Sequence, residues 1–154
     1  MIMLKIAIAS DHAGVDTKSQ VINFISKLGY ECNDLGPNSP ESVDYPDYAF
    51  KVAEAVSSGK YQRGILICGT GLGMCIAAGK VKGIRAVTPY DEFTAEISRK
   101  HNDANVLCLG ARSLKTDKMM QIVKIWLGTE FESGDNASRH LKRLKKISDY
   151  ESKK

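Results

Sequence analysis

The chain has 154 residues, of which 43% are apolar and 26% charged, with a net charge of +4; this composition excludes a disordered or fibrous chain and predicts one globular domain over residues 1–154. No segment approaches the roughly 18 consecutive apolar residues that a membrane span needs. The N-terminus lacks the pattern of a secretory signal peptide, so we expect a cytoplasmic protein without a membrane partner.

The first half of the chain alternates strand and helix patterns. Small and β-branched residues at 5–10 predict a strand, and apolar residues at helical spacing predict a helix that ends before Gly29. A weaker strand is expected over 30–35. Asp44, with a proline two residues later, is a candidate N-cap for a second helix that runs to about residue 58.

The second half repeats this alternation. Residues 64–68 are apolar without interruption, as in a strand buried on both faces of a parallel sheet. A glycine-rich turn at 69–73 then leads into a helix that continues to Lys80. Two further strands and two helices are predicted in the order 84–88, 91–100, 106–109 and 117–127.

A basic helix is predicted to begin near Asp135 and to close the chain. From residue 133 to 154 there are seven Lys or Arg and three Asp or Glu, whereas the first 132 residues hold 15 of each sign. Such a segment is typical of a solvated helix face, an anionic ligand site or a nucleic-acid patch. Its aromatic residues are limited to Tyr150, which disfavours nucleic acid as a partner.

Five strands that alternate with helices predict an α/β fold: a doubly wound, Rossmann-like sandwich with a five-stranded parallel sheet and a C-terminal basic helix. In such sheets ligands bind at the carboxyl ends of the strands. The residues that follow the strands are polar here, and we expect them to converge on one edge. They are Asp11, His12 and Gly14, then 68–73, then His101, Asn102 and Asp103, and finally 110–112.

The glycine-rich turn Gly-Thr-Gly-Leu-Gly at 69–73 lies between a strand and a helix. Its N–H groups can point inward beside the positive end of the helix, which predicts an anion site; the alternative is a tight turn without a ligand. A Walker A loop does not fit, because five residues separate Gly73 from Gly79 and Val81 follows Lys80. A dinucleotide-binding turn belongs after the first strand, where the sequence is Asp-His-Ala-Gly. Nucleotide binding is therefore disfavoured.

One cysteine and two histidines are candidates for chemistry. Cys68 adjoins the glycine-rich turn at the start of a helix, an environment that favours a thiolate. His12 and His101 can act as general acid or base, because imidazole titrates near neutrality. The remaining cysteines lack the setting of Cys68 and are expected to be structural: Cys32, Cys75 and Cys108. With no CxxC pair and no further histidine at metal-ligand spacing, we expect reduced thiols and no metal.

Five motifs span nearly the whole chain in a fixed order. They are SDHAG at 10–14, DYP at 44–46, CGTGLG at 68–73, HNDANV at 101–106 and LGAR at 109–112. Together they make the sequence resemble the type B ribose 5-phosphate isomerases, a family grouped with the galactose 6-phosphate isomerase subunits. The resemblance implies an aldose–ketose isomerase of the pentose phosphate pathway that interconverts ribose 5-phosphate and ribulose 5-phosphate without a cofactor.

The resemblance also implies a role for each matching residue. Cys68 would move a proton between C1 and C2 of the sugar through an enediolate, Thr70 would assist by hydrogen bonding, and His101 would open the furanose ring. The sugar oxygens and the enediolate would be held by Asp11, Tyr45 and Asn102 and by the amides of Gly69, Gly71, Leu72 and Gly73. The phosphate would be held by His12, Arg112 and Arg139. Such an oxyanion environment suits proton abstraction next to a carbonyl.

The family further implies a homodimer with sites shared across its interface. One branch replaces the cysteine by a glutamate after the third loop glycine, where this chain has Met74, so we expect a cysteine-type enzyme. The galactose-type subunits divide the cysteine and the ring-opening histidine between two chains, whereas this chain has both. We therefore expect a homo-oligomer, a dimer or a dimer of dimers, in which His101 and Arg139 face the partner's Cys68.

Two positions depart from the family pattern. A second phosphate-binding arginine is usual at the position of Asp135, so this contact is lost or is replaced by His140 or Arg143. Gly79 replaces the usual asparagine. Because Asp135 is an acid at a position where the family binds phosphate, a hexose 6-phosphate isomerase of the allose or galactose type remains an alternative function. The other alternative is a non-catalytic phosphate- or nucleotide-binding module.

Overall fold

One parallel sheet organises the part of the chain that the structure describes, residues 3–153. The strands of this computed structural model are β1 (Lys5–Ser10), β2 (Glu31–Asp34), β3 (Arg63–Cys68), β4 (Ala86–Val87) and β5 (Val106–Gly110). Their order is β2-β1-β3-β5-β4, and all neighbouring pairs are parallel. The predicted α/β fold with a five-stranded parallel sheet is confirmed.

Six helices within residues 3–153 connect and cover the strands. They are α1 (Val15–Lys27), α2 (Tyr45–Ser57), α3 (Leu72–Ala78), α4 (Glu92–Lys100), α5 (Thr116–Gly128) and α6 (Asp135–Glu151). A short 3-10 turn at His12–Gly14 joins β1 to α1. None of these helices is long and apolar enough to cross a bilayer.

Side chains of the central strands alternate between the two faces of the sheet, as the two-residue period of a strand requires. Ala7 and Leu66 point to the face covered by α2 and α3, whereas Ile8 and Ile65 point to the face covered by α1 and α5. Both faces are therefore apolar, which explains the uninterrupted apolar run of β3. Gly64 lets α2 come close, since a Cβ at this position would lie 2.5 Å from a methyl group of that helix.

Two buried arginines fix the amino-terminal edge of the sheet. Arg63, at the start of β3, donates hydrogen bonds to the carbonyl oxygens of Trp126 and Leu127 at 2.9 and 2.7 Å, which satisfies free carbonyls at the end of α5. Arg99, near the end of α4, donates to the carbonyl of Ala104 at 2.6 Å. Burial and the adjacent Arg99 charge lower the pKa of Arg63. These contacts hold the ends of α4 and α5 beside the start of β3.

Three details differ from the sequence prediction. β4 has two residues instead of the five predicted over 84–88, because the Arg85 N–H donates to the Asn105 side chain at 2.7 Å and takes no part in the strand ladder. α3 ends at Ala78, earlier than predicted. Asp44 occupies the N-cap position of α2, but its side chain makes no capping hydrogen bond.

Candidate active site

Cys68 ends β3 at the carboxyl edge of the sheet and is 5% exposed. Its Sγ accepts a hydrogen bond from the Gly71 N–H at 3.1 Å. Gly71 has a left-handed backbone with φ of +80°, and a Cβ there would lie 3.0 Å from the main chain of Leu109. Only glycine meets both conditions without strain. The turn therefore aims one backbone donor at the sulfur, as a thiolate requires.

The loop after β5 braces the glycine-rich turn. The carbonyl oxygens of Cys68 and Gly69 accept hydrogen bonds from the Ala111 and Arg112 N–H groups at 2.8 and 2.9 Å. The Leu72 N–H donates to the Thr70 Oγ1 at 3.3 Å, so Thr70 helps to shape the turn. The exposed Arg112 side chain lies beside Gly69, at 3.6 Å from the position of a Cβ there. The Arg112 guanidinium thus borders the turn.

The loop after β1 brings Asp11 and His12 to the same edge. Asp11 donates its N–H to the Ile67 carbonyl at 3.0 Å and accepts the Ala13 N–H on its carboxylate at 2.9 Å. The His12 Nδ1 accepts the Val43 N–H at 3.2 Å. In a neutral imidazole the proton then resides on Nε2. His12 therefore presents a hydrogen-bond donor, which suits a phosphate oxygen.

Tyr45 borders the turn from α2. Its ring occupies the space that a side chain at Gly73 would need, since a Cβ there would lie 2.6 Å from the Tyr45 Cζ. Beside the turn, a cavity of about 370 Å³ is lined by Thr70, Leu72 and Tyr90 among others. A second cavity of about 280 Å³ continues from Tyr90 along α4 to Asn102. The edge thus offers open space beside the glycine-rich turn that follows Cys68.

His101 and Asn102 do not join this group within one chain, and the expectation that all these residues converge on one edge is wrong. In parallel sheets each helix returns the chain to the amino-terminal edge, and His101 is the C-cap of α4. The nearby Asn105 carbonyl accepts the Gly64 N–H at the start of β3 at 2.9 Å. Because β3 has six residues, the two edges are about 16 Å apart.

His101 belongs instead to a cluster with Glu132 and His140, here called the histidine–glutamate cluster. The two imidazole rings stack with centroids 4.2 Å apart and planes inclined by 13°. The Glu132 Oε2 lies 3.1 Å from the Nε2 of His140 and 3.8 Å from the Nε2 of His101. Arg139 precedes His140 on α6 and is exposed, so it too lies at the amino-terminal edge.

This cluster was not predicted from the sequence, because its members come from the end of α4, the loop before α6 and α6 itself. The suggestion that His140 replaces a phosphate arginine is wrong, since His140 is only 3% exposed. A signal was present in the spacing, however. His140 precedes Leu144 and Ile147 by four and seven residues, which places all three on one face of a helix.

The histidine–glutamate cluster is the group in residues 3–153 whose atoms could approach a shared metal ion. Its geometry does not suit one. A metal binds an imidazole in the plane of the ring at about 2.0 Å, but these two planes run nearly parallel, with ring centroids 4.2 Å apart. An ion between them would lie far outside both planes, so the arrangement fits ring stacking beside a carboxylate instead.

The other cysteines are not uniformly inert. A hydrogen bond from Cys108 lowers the pKa of Cys75 to about 6, against the opposing effect of burial. The same bond and burial raise the pKa of Cys108, and burial followed by the Asp34 charge raises that of Cys32 to about 12. The hydrogen bond from Cys108 therefore gives Cys75 an environment that the sequence did not indicate. All four cysteines are free thiols.

Comparison with known proteins places these residues in context. The family model described as Ribose/Galactose Isomerase matches residues 6–147. Ribose-5-phosphate isomerase B of Escherichia coli strain K12 is 43% identical over 152 residues, covering 99% of both chains. Ribose-5-phosphate isomerase B of Clostridium thermocellum is 51% identical, with a TM-score of 0.92 over 97% of this chain and 99% of that one. The Mycoplasma genitalium ribose-5-phosphate isomerase B, solved with bound ribulose-5-phosphate, is 41% identical, with a TM-score of 0.91 over the full length of both.

Proposed function

Because this chain belongs to the ribose/galactose isomerase family, we propose that it interconverts ribose 5-phosphate and ribulose 5-phosphate. Two relatives of similar length carry the name of that activity, and a third relative binds ribulose 5-phosphate. The observation within this chain that supports the activity best is the Gly71 N–H directed at the Cys68 sulfur. A reaction that uses the Cys68 thiolate as its base needs no cofactor. A reducing cytoplasm would keep this thiol from oxidation.

Cys68 is the base in this proposal. Its thiolate takes the proton from C2 of the open-chain aldose, and the electrons move to the carbonyl oxygen to give an enediolate. Returning that proton to C1, while the hydroxyl proton moves from O2 to O1, gives the ketose. Amides of the glycine-rich turn stabilise the charge that develops on oxygen, because they are already oriented before the reaction. Thr70 adds a hydrogen bond.

The substrate enters largely as a closed ring, so a second residue must open it. His101 takes the proton of the C1 hydroxyl, the bond between C1 and the ring oxygen breaks as the C1 carbonyl forms, and water supplies a proton to the ring oxygen. Cys68 lies at the carboxyl edge and His101 at the amino-terminal edge of the sheet in one chain, and these edges are about 16 Å apart along β3, so we infer that a second chain supplies His101. The proposed site therefore combines His101, Asn102 and Arg139 of one chain with the partner's Cys68.

Exposed apolar side chains near the carboxyl edge support this assembly. Leu72, Ile76, Tyr90 and Phe93 are 59, 66, 70 and 67% exposed in the single chain, and two of them line the cavity beside the glycine-rich turn. Large apolar patches on a soluble surface usually mark an interface. A two-fold axis through this patch would create two equivalent sites in a homodimer.

The phosphate is held by donors from both edges. His12 offers its Nε2 proton, and Arg112 extends from the loop beside Gly69. Arg139 arrives from the partner. Charge-assisted hydrogen bonds of this kind are the strongest that a protein forms with a phosphate, so these groups supply most of the binding energy of the substrate, while Asp11, Tyr45 and Asn102 orient the sugar.

A hexose 6-phosphate is the second candidate substrate, and one observation favours it. Asp135 is exposed at the start of α6, one helical turn before Arg139, where its carboxylate would repel a pentose phosphate. The phosphate of a six-carbon sugar would lie at a different distance from the Asp135 carboxylate than the phosphate of a pentose. The test is a steady-state assay of the purified protein on ribose 5-phosphate, ribulose 5-phosphate, allose 6-phosphate and galactose 6-phosphate. A higher kcat/KM for a hexose would replace the pentose proposal.

A further inference from the structure

Two members of the histidine–glutamate cluster, Glu132 and His140, lie against the third, His101, which opens the sugar ring in the proposed mechanism. His140 is the single buried residue of α6 among those described, and it is 3% exposed. Its Nε2 lies 3.1 Å from the Glu132 carboxylate but at an angle that does not make a hydrogen bond. Burying an unsatisfied polar atom is costly, so this arrangement is not explained by the stability of the fold alone.

Glu132 is held in place independently of the histidines. Its N–H donates to the Lys100 carbonyl at 3.1 Å, which ties the loop before α6 to the end of α4 next to His101. Its side chain is 28% exposed, whereas the neighbouring Glu130 is 81% exposed and pairs with Arg63 at 3.2 Å. The two glutamates of one loop thus face different partners, and Glu132 faces both imidazoles.

We propose that Glu132 and His140 are positioning residues that hold the His101 ring in the orientation and tautomer needed for ring opening. The stacked His140 ring fixes the plane of His101. The carboxylate faces the Nε2 of His101 and keeps the proton on that nitrogen, which leaves Nδ1 as the base for the sugar hydroxyl. The proposal rests on the ribose 5-phosphate isomerase function proposed above.

The carboxylate also stabilises the imidazolium that forms when His101 accepts a proton. At 3.8 Å the Glu132 oxygen is close enough to attract that charge but too far for a direct hydrogen bond. A water molecule or a small movement on substrate binding would complete the contact, since catalytic hydrogen bonds often tighten only in the complex.

The chemistry of the two sugars permits a test that separates ring opening from proton transfer. Ribulose 5-phosphate is an open chain, because its C5 oxygen carries the phosphate and cannot close a ring onto C2. Exchange of its C1 hydrogen with solvent deuterium therefore needs Cys68 and the glycine-rich turn but no ring opening. Conversion of ribose 5-phosphate needs both steps.

We expect Glu132→Gln to lower kcat on ribose 5-phosphate by about tenfold or more while deuterium exchange at C1 of ribulose 5-phosphate stays within about twofold of the unmodified protein. Glu132→Asp, which keeps the charge, should recover part of the loss. Glu130→Gln in the same loop is the control and should change neither rate. His140→Ala should behave like Glu132→Gln, and His140→Phe, which keeps a stacked ring, should be less affected.

Equal losses of conversion and exchange in Glu132→Gln, or no loss of conversion, would overturn the proposal. A readout on the unmodified protein is independent of how the variants fold: nitrogen-15 NMR should find the proton of neutral His101 on Nε2, and a proton on Nδ1 would contradict the positioning role. If the unmodified protein neither converts nor exchanges these sugars, the proposed function itself fails and this inference fails with it.

Discussion

At the residue scale, the environment of Cys68 decides what its sulfur can do. A buried cysteine is ordinarily a small apolar side chain, and Cys68 is 5% exposed. The Gly71 N–H, however, donates to its Sγ, and Arg112 lies beside the same turn. The sulfur therefore has a polar environment, with one backbone donor and an arginine beside the turn that follows it. The sequence position of Cys68, between a strand and a glycine-rich turn, was sufficient to predict this setting.

Replacing Cys68 by alanine should remove turnover but not substrate binding. Proton abstraction by a positioned base is worth roughly 10²- to 10⁴-fold in rate, so kcat should fall by about a hundredfold or more. The phosphate contacts lie elsewhere, so the dissociation constant of ribose 5-phosphate, measured by calorimetry, should change little. Cys32→Ala, on β2, is the matched control and should keep full activity. Appreciable turnover in Cys68→Ala would rule out the cysteine base.

Cys75 should titrate well below an ordinary thiol. The hydrogen bond from Cys108 lowers its pKa from 9.0 to about 6, so the folded protein holds a thiolate there at neutral pH. In a Cys68→Ala background, thiolate absorbance near 240 nm should therefore rise across about pH 5 to 7. Cys108→Ala removes the donor and should move that rise toward pH 9. An unchanged titration in the double variant would show that Cys108 is not the cause.

Asp135→Arg should improve pentose binding if Asp135 faces the phosphate. Gly134 is the N-cap of α6 and Asp135 lies in its first turn, so Asp135 does not cap this helix. A new arginine should lower the KM for ribose 5-phosphate by roughly fivefold, or about 1 kcal/mol at an exposed position. Loss of the favourable first-turn acid should cost about 0.3 to 1 kcal/mol of stability.

Asp149→Arg, near the far end of α6, makes the same change in charge and should leave KM unchanged. Arg143 is the remaining alternative for the phosphate, because His140 is buried. If Arg143 holds it, Asp135→Arg leaves KM unchanged and Arg143→Ala raises it several-fold. Steady-state kinetics of these variants decide between the two residues.

At the element scale, the glycine-rich turn and the loops after β1 and β5 form one unit. The carbonyls of Cys68 and Gly69 accept hydrogen bonds from the loop after β5, and the Tyr45 ring fills the space beside Gly73. Each loop therefore fixes the next. A rigid frame of this kind is what preorganised stabilisation of an enediolate needs, because donors that must reorient lose their advantage over water.

Gly71→Ala should damage activity and stability together, whereas Gly59→Ala should damage stability alone. Both glycines have φ of +80°, so either alanine is strained, at a cost of about 1 to 2 kcal/mol. A Cβ at Gly59 meets nothing within 4 Å, whereas one at Gly71 meets the Leu109 main chain at 3.0 Å. Thermal melting and kcat of the two variants test this. Equal kcat losses in both would contradict a specific role of the turn.

The alternation of elements was predictable because each strand and helix has its own apolar period. β4 was overestimated, since the Asn105 side chain replaces a ladder contact and no local pattern reveals this. His101 was assigned to the wrong edge because it follows a helix, not a strand. Its contact with His140 and Glu132 depends on how α6 packs against α4, which is a tertiary property that single-chain periodicity does not contain.

At the scale of the whole molecule, the proposed site is divided into two halves on opposite edges of the sheet of one chain. The base, the glycine-rich turn and Arg112 lie at the carboxyl edge, and His101 and Arg139 lie at the amino-terminal edge, about 16 Å away. In the proposed mechanism both halves are needed to convert a cyclic sugar phosphate. The exposed apolar side chains Leu72, Ile76, Tyr90 and Phe93 offer the surface on which a second chain would complete both sites.

The most direct test of this shared site is complementation between two inactive variants. Cys68→Ala and His101→Ala should each form nearly inactive homodimers. When the two are unfolded and refolded together, half of the dimers should be mixed, and each mixed dimer should carry one site with both residues intact. Activity on ribose 5-phosphate should therefore recover to about a quarter of the unmodified level. A refolded mixture that stays inactive, although mass spectrometry detects the mixed dimers, would show that Cys68 and His101 do not act together across two chains.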